Sequence, residues 1–380
     1  MKPVRFEGLG TKTQDVCNRL NERARLLGPA AKLPTIVELR DEFGVSITTL
    51  HNALNELEAQ DIIYRRHGSG IYVSPRVSHQ TVCVICGPHY FTTPDSSPFW
   101  THLLDRTRQR AESNRELLCL HFATAPSGNR VPLQEPLARQ IQDGRIHGII
   151  GLDLPVPAAQ WIASREVPLV TFAGASPYTV GIDTPRLIQQ GVVELAEQGC
   201  RRIGLWMPDA RYATHDDERI NTECVTGAFQ SALTERSLSF YPTAVRGAAH
   251  AIGAEAFPPT GPSRQQQGYA AATTYFGAHT PLQPDGIVIT DDLMTQGALL
   301  YMQQAGIRLG RDVRIASRAN RGSSVLQHQD HAVTLLEIDP HMIVQALFRQ
   351  LDELMAGGKP AQQYLAIQPQ VRPAAVRSAI

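Results

Sequence analysis

The sequence lacks the features that mark membrane and exported proteins. Charge, proline or glycine interrupts every long apolar run in the 380 residues, so no stretch approaches the roughly 20 apolar residues that a membrane-spanning helix needs. The first ten residues, MKPVRFEGLG, contain no apolar core of a signal peptide. We therefore expect a soluble, cytoplasmic protein that has no membrane partner.

Cysteine and net charge are also scarce. Six cysteines, widely scattered, are too few for a disulfide framework or a zinc module. Cys83 and Cys86 form a C-x-x-C motif, but they lie in TVCVIC, a strand-like run in which positions i and i+3 point to opposite faces. We expect no metal or redox centre from this motif. The 36 basic and 36 acidic residues balance, which excludes a molecule organised by a charged tail.

The length predicts two or three domains, and residues 1–75 form the first. Two helical segments come first, and Ser46 then begins a third helix whose leucines recur at i, i+4 and i+7. The runs IIYRR and IYV follow, and the glycines of residues 67–70 between them permit a tight turn. This order is typical of a winged helix-turn-helix domain.

Residues 76–80 are a short polar linker, and residues 81–380 follow a different pattern. Apolar strand-like runs such as VCVICG, HGIIGLD and DGIVIT alternate with helical segments. Repeated strand–helix units with continuous apolar strands indicate parallel sheets covered by helices. About 300 residues are more than a domain built on one such sheet usually contains. We therefore expect two α/β lobes with a cleft between them. Residues 241–283 are predicted to be irregular around one helix at 263–276.

The segment LPTIVELRDEFGVSITTLHNALNELEAQDIIYRRHGSGIYV resembles the winged helix-turn-helix of GntR-family transcription regulators, over some forty residues and with the wing almost intact. The resemblance implies a double-stranded DNA operator as partner. The third helix would enter the major groove and the wing would contact phosphates or the minor groove. The residues predicted to contact DNA are Ser46, Thr48, Thr49, His51 and Asn52 in the helix and Arg65, Arg66, His67 and Gly68 in the wing.

The winged helix-turn-helix domain of residues 1–75, called the head below, departs from the family pattern at three positions where arginine is usual. Val37, Ile47 and His51 stand there instead. Residues 1–75 contain ten Lys or Arg and nine Asp or Glu, an excess of one positive charge. Few phosphate contacts predict a shallow salt dependence and weak nonspecific binding. We therefore expect either an unusual operator or affinity that depends on two heads binding together.

Residues 81 to about 370 are similar to the effector domain of lactose-repressor-type (LacI) regulators. YTVGID, a helix and GCRRIGLWM resemble the crossing from first to second lobe, and DGIVITDDLMTQGALLYMQQAGIRLGRDVRIAS has the order of the second. Together with a GntR-type head, this domain resembles the arabinose-repressor subgroup. That resemblance implies a homodimer, a periplasmic-binding-protein-like fold and a sugar or sugar derivative as effector.

Ligands in such folds lie between the lobes, at the carboxyl ends of the strands. Polar or aromatic side chains at those ends are candidates for sugar binding, although an isolated Asp is more often a helix cap and an aromatic pair is more often core. Arg318, in a segment where the resembled pattern has paired aspartates, also admits an acidic sugar. The predicted ligand-binding residues are Phe99, Trp100, Asp153, Phe172, Arg219, Asp291, Arg318 and Asn320.

These features predict a ligand-responsive repressor without cofactor or enzymatic activity. The four lysines, Lys2, Lys12, Lys32 and Lys359, exclude the pyridoxal-phosphate aminotransferase domain that some GntR heads carry. No Walker loop or nucleophile elbow is present. Two alternatives stay open: a sugar-binding protein, and a sugar-processing enzyme in which the winged helix is a protein-interaction module.

Overall fold

A computed structural model describes residues 10–75, 80–87, 97–123, 133–152, 154–172, 174, 176–208, 222–246, 262–277, 283–327, 329 and 332–374. The first unit is three helices and a hairpin. Its apolar core, which includes Leu20, Leu39, Leu50, Leu54 and Leu57, is buried and forms a cluster of its own. Its elements are α1 (Thr11–Leu27), α2 (Ile36–Phe43), α3 (Ile47–Ala59), β1 (Ile63–Arg66) and β2 (Gly70–Val73).

The second unit contains two six-stranded sheets, and the first of them begins at Thr81. Its strands run in the order β13-β7-β6-β5-β3-β4, with every neighbouring pair parallel. The first-lobe elements in chain order are β3 (Thr81–Cys86), α4 (Pro98–Ser113), β4 (Leu117–Phe122), α5 (Glu135–Gln142), β5 (Gly148–Leu152), α6 (Val156–Ala163), β6 (Leu169–Phe172) and β7 (Thr179–Ile182).

The second sheet has the order β14-β12-β11-β10-β8-β9 and is parallel except for its terminal strand β14. A short 3₁₀ helix, Pro242–Ala244, precedes β9. The elements from the first crossing onward are α7 (Thr184–Glu197), β8 (Ile203–Trp206), α8 (Thr222–Glu235), β9 (Val245–Arg246), α9 (Arg264–Phe276), β10 (Gly286–Ile289), α10 (Asp292–Gln304), β11 (Arg314–Asn320), β12 (Val333–Ile338), α11 (Pro340–Met355), β13 (Tyr364–Ile367) and β14 (Gln370–Arg372).

The chain passes between the lobes three times. After β12, helix α11 returns to pack on β5, β6, β7 and α4 of the first lobe. Strand β13 then extends the first sheet beside β7, and β14 pairs with β12 in the second. The prediction of a winged helix-turn-helix followed by a two-lobed domain with parallel sheets is thus confirmed. The two terminal strands were not predicted.

Helices α9 and α10 approach each other closely because glycines face the contact. A Cβ atom on Gly268 would lie 1.8 Å from the carbonyl oxygen of Met294, and one on Gly297 would lie 1.9 Å from that of Gln265. Ser263 and Gln266 close a capping box at the start of α9, so this helix lies where the sequence predicted one. No helix of the described residues is long and apolar enough to cross a membrane.

Candidate functional site

The third helix of the head presents a polar stripe opposite its buried leucines. Thr48, His51 and Asn52 are exposed on this stripe, as the sequence predicted for residues that contact bases. Ser46 instead caps α3, accepting a hydrogen bond from the backbone N–H of Thr49 at 3.1 Å, and the two hydroxyls lie 2.8 Å apart. Ser46 and Thr49 therefore fix the start of the helix that carries the stripe.

The two arginines of the wing have different surroundings. Arg65 donates a hydrogen bond to Asn55 Oδ1 at 2.8 Å and forms an ion pair with Glu58 at 3.5 Å, so it braces the hairpin against α3. The guanidinium of Arg66 lies 5.5 Å and 5.4 Å from the ring centroids of Tyr64 and Tyr72. These two rings stack across the strands at 5.6 Å. Of the pair, Arg66 is the better placed to contact a phosphate.

The turn of the wing depends on glycine. Gly68 has a φ of 70° and Gly70 a φ of 125°, a region that other residues rarely adopt. A Cβ atom on Gly70 would also lie 2.9 Å from Cε of Lys32, whose ammonium lies 5.9 Å from the Tyr72 ring centroid. His67 is exposed at the tip, beside Gly68. The hairpin therefore groups Lys32, Arg66 and His67 as donor or positive groups.

Two apolar side chains are exposed where the family pattern has arginine. Val37 in α2 is 56% exposed and Ile47 at the start of α3 is 52% exposed. His51, the third altered position, is exposed on the polar stripe. Methyl groups at such positions can contact thymine methyl groups but add no positive charge.

In the first lobe, three of the predicted ligand residues form one aromatic cluster. Ser97 accepts a hydrogen bond from Phe99 N–H at the start of α4, and this cap sets the position of Phe99 and Trp100. The Phe99 centroid lies 5.0 Å from that of Trp100 and 5.7 Å from that of Phe172, at the end of β6. Trp100 and Phe172 are 6.0 Å apart. Sequence spacing alone did not show that these rings touch.

Arg318 of the second lobe reaches this cluster. Its guanidinium carbon lies 5.9 Å from the ring centroid of Phe99. The Arg318 Nε atom is buried and has no hydrogen-bond partner among the described residues. A planar cation with a spare donor thus faces aromatic rings from the opposite lobe.

Asp292 and Asn320 form the polar centre of the second lobe. Asn320 donates a hydrogen bond to Asp292 Oδ2 at 3.1 Å, while its own Oδ1 is buried and unpaired within the described part of the chain. Burial, together with neighbouring Asp291, raises the pKa of Asp292 to about 6. Sequence reasoning did not select Asp292 as a ligand residue; the paired aspartates after β10 were the signal that could have identified it.

Asp291, which was predicted to bind ligand, has a structural role here. It caps α10 by accepting a hydrogen bond from Met294 N–H at 2.8 Å. It also forms an ion pair with Arg264 of α9 at 3.3 Å. Asp291 therefore joins two helices, and its ligand role stays a prediction. Asp153 and Arg219 lie outside the described residues.

A cavity of about 430 Å³ adjoins the polar centre of the second lobe. Asp292 and Asn320 line it together with Arg321, Glu337 and Arg372. Glu337 lies 3.1 Å from Arg372 and 3.8 Å from Arg321, so the cavity wall contains paired charges. This volume lies within the range of small-molecule sites. Ile338, which stands where the resembled pattern has a polar residue, is buried.

Comparison with known families divides the chain as its two units do. Residues 13–73 match the gntR family of bacterial regulatory proteins. Residues 192–373 match the periplasmic binding protein-like domain. The second match covers the second lobe together with the segments that return to the first.

One curated relative and several solved structures are similar to this chain. The uncharacterised HTH-type transcriptional regulator YjiR of Escherichia coli K12 is 27% identical over 146 residues, which are 38% of this chain. The chain matches only 30% of that relative's length. A LacI-family regulatory protein from Chloroflexus aggregans has the same fold, at 16% identity and a TM-score of 0.60, over 77% of this chain and 98% of that one.

Two further structures extend the likeness in fold. The transcription regulator CcpA of Lactococcus lactis is 18% identical, with a TM-score of 0.56, over 78% of this chain and 99% of that one. The regulator CelR, in complex with cellobiose, is 16% identical, with a TM-score of 0.56, over 87% and 91% of the two chains. Membership of the arabinose-repressor subgroup stays a prediction. The chain therefore joins a segment that matches the gntR family of bacterial regulatory proteins to one that matches the periplasmic binding protein-like domain.

Proposed function

We propose that this protein is a transcription regulator, a cytoplasmic repressor that binds its operator as a homodimer and responds to a sugar or sugar acid held between its lobes. The observation that carries the proposal is the approach of Arg318 to the aromatic cluster of Phe99, Trp100 and Phe172. It brings a hydrogen-bonding cation from one lobe to a stacking surface on the other. A ligand that contacts both would hold the lobes together.

The chemistry of these groups suits a carbohydrate. A sugar ring offers a C–H face to aromatic rings, and its hydroxyls can pair with a carboxylate and an amide such as Asp292 and Asn320. The unpaired Arg318 Nε and Asn320 Oδ1 are a donor and an acceptor suited to such a ligand. The likeness in fold to CelR, whose structure contains cellobiose, is consistent with this class. Arg318 favours a ligand with a carboxylate or phosphate group.

Ligand binding can change operator affinity only if the ligand binds two conformations unequally. The three crossings between the lobes provide a hinge, so lobe closure would move the second lobe relative to the first and alter the spacing of the two heads. We propose this population shift as the mechanism, without enzymatic turnover of the ligand.

A ligand screen tests the proposal directly. We expect that at least one compound from a panel of neutral sugars, sugar acids and sugar phosphates raises the thermal midpoint of the purified protein and changes its affinity for operator DNA selected from random sequence. Arg318→Met should weaken that binding, by about tenfold or more if a charged hydrogen bond is lost. Arg311→Met, on an exposed turn, is the control and should leave it unchanged.

Two results would contradict the proposal. A stabilising ligand that leaves operator affinity unchanged would separate the cleft from regulation. Recovery of a chemically altered ligand after incubation would identify an enzyme.

A further inference from the structure

Two cysteines and a histidine meet on one face of the first sheet, away from the aromatic cluster. Cys83 of β3 is paired in register with Cys119 of β4, and His121 follows two residues later on β4, so its side chain points to the same face. One ligand atom from each of the three lies within 4.8 Å of the others. The C-x-x-C motif pairs Cys83 with Cys86 in the sequence. In the structure, the cysteine beside Cys83 is Cys119 on the adjacent strand β4.

The surroundings of the three side chains are partly apolar. Cys83 is fully buried among side chains of α5 and α6, including Leu137 and Ile141, while Cys119 and His121 are half-buried at the edge strand. Two thiols alone would be ordinary core residues. The imidazole distinguishes this cluster, because it has no hydrogen-bond partner among the described residues.

We infer that Cys83, Cys119 and His121 form a binding site for a divalent metal ion that prefers thiolate ligands, such as Zn²⁺. Two thiolates and one imidazole are the ligands that such ions prefer, and carboxylate-binding ions such as Mg²⁺ and Ca²⁺ do not favour them. At a Zn–S distance of about 2.3 Å, two tetrahedral sulfur ligands lie roughly 3.8 Å apart. The ligand atoms of the three side chains already lie within 4.8 Å of one another, about 1 Å from that spacing.

Charge balance supports the same assignment. The complex of a divalent cation with two thiolates has no net charge, so metal binding would bury no net charge against the partly apolar face of the sheet. Binding would displace the thiol protons to solvent and link β3 to the edge strand β4. Three protein ligands leave a fourth position for water or another donor.

Cobalt is the probe that tests the site, because Co²⁺ replaces Zn²⁺ and its absorption reports the ligands. We expect the reduced, metal-free full-length protein to bind one equivalent of Co²⁺ with a thiolate charge-transfer band and strong tetrahedral visible bands, both lost on adding Zn²⁺. Cys119→Ser and His121→Gln should each weaken metal affinity by about a hundredfold. Cys224→Ser removes an exposed thiol on α8 and should change nothing.

A second measurement protects the test from misfolded variants. In chelator, Cys119→Ser and His121→Gln should melt close to the wild-type protein, and Zn²⁺ should raise the thermal midpoint of the wild type alone. The inference fails if no thiolate band forms, or if the band survives both substitutions. It also fails if peptide mapping shows that Cys83 and Cys119 form a disulfide that Zn²⁺ cannot prevent.

Discussion

At the residue scale, Asp292 shows how a buried carboxyl can reduce the stability of the protein. Its carboxyl is buried and hydrogen-bonded to Asn320, whose own oxygen is unpaired within the described residues. An unfolded Asp has a pKa of about 3.9, whereas burial raises the pKa of Asp292 to about 6 in the folded protein. The folded state therefore binds more protons between these values, and its stability falls as the pH rises through about 6.

Asp292→Asn should therefore stabilise the ligand-free protein at pH 7.5, by about 3 kcal/mol, and give no such gain at pH 4. The new amide could also donate to Asn320 Oδ1. Urea unfolding at the two pH values measures the difference. The control is Asp312→Asn. The exposed Arg308 lowers the pKa of Asp312 to about 2, so removing the Asp312 carboxylate should reduce the stability of the protein at pH 7.5. A loss of stability in Asp292→Asn at pH 7.5 would contradict the assignment.

Ile47 allows a test of whether the low positive charge of the head limits its binding to DNA. Ile47→Arg should strengthen binding to nonspecific duplex DNA and steepen the slope of log K against log salt by about 0.9 for one added phosphate contact. A mobility-shift titration across salt concentrations measures this slope. Leu26→Arg, at a side chain that is 88% exposed on α1, adds the same charge elsewhere. Equal slopes in both variants would show a general effect of net charge.

The limits of sequence reasoning at this scale lie in tertiary contacts. The stripe of Thr48, His51 and Asn52 could be predicted because helical spacing fixes which residues share a face. The division of labour between Arg65 and Arg66 could not, because it depends on Asn55 and Glu58 on one side and on stacked tyrosines on the other. Asp292 was passed over because its burial depends on distant strands.

At the element scale, the close packing of α9 on α10 makes a prediction about stability. Gly297→Ala should destabilise the second lobe by several kcal/mol, because the added methyl group meets the backbone of Gln265 and no side chain can move aside. Thermal or urea unfolding measures it. Gly227→Ala, in α8 with open space around the position, should instead stabilise by up to about 1 kcal/mol. Similar gains in both variants would show that helix propensity, and not packing, is being measured.

Elements with strong apolar patterns were predictable and short polar ones were not. DGIVIT and TVCVIC were identified as strands because continuous apolar runs fit the centre of a parallel sheet. Strand β13 alternates between exposed and half-buried residues at a sheet edge, and β14 has only three residues. Each depends on pairing with a strand far away in the sequence, so its local pattern carried no signal.

At the scale of the whole molecule, the edge strand β4 is the surface at which we expect the proposed homodimer to form. Leu120 and Phe122 point to the same face and are 43% and 42% exposed. An exposed apolar edge is usually covered by a partner, and a second copy would bring two weakly charged heads onto one operator. The double substitution Leu120→Glu and Phe122→Glu should therefore halve the mass measured by light scattering and weaken operator binding. Met342→Glu, at an exposed side chain of α11, is the control. An unchanged mass would exclude this interface.

The return of the chain to the first lobe bears on how the regulator is made. The head has its own core, whereas the sheet of the first lobe acquires β13 only after the chain has passed through five strands of the second lobe. A nascent chain interrupted after β12 would therefore have a folded head and an incomplete sensor. If the protein is the regulator proposed above, such a fragment would keep its DNA-binding fold but would no longer respond to an effector.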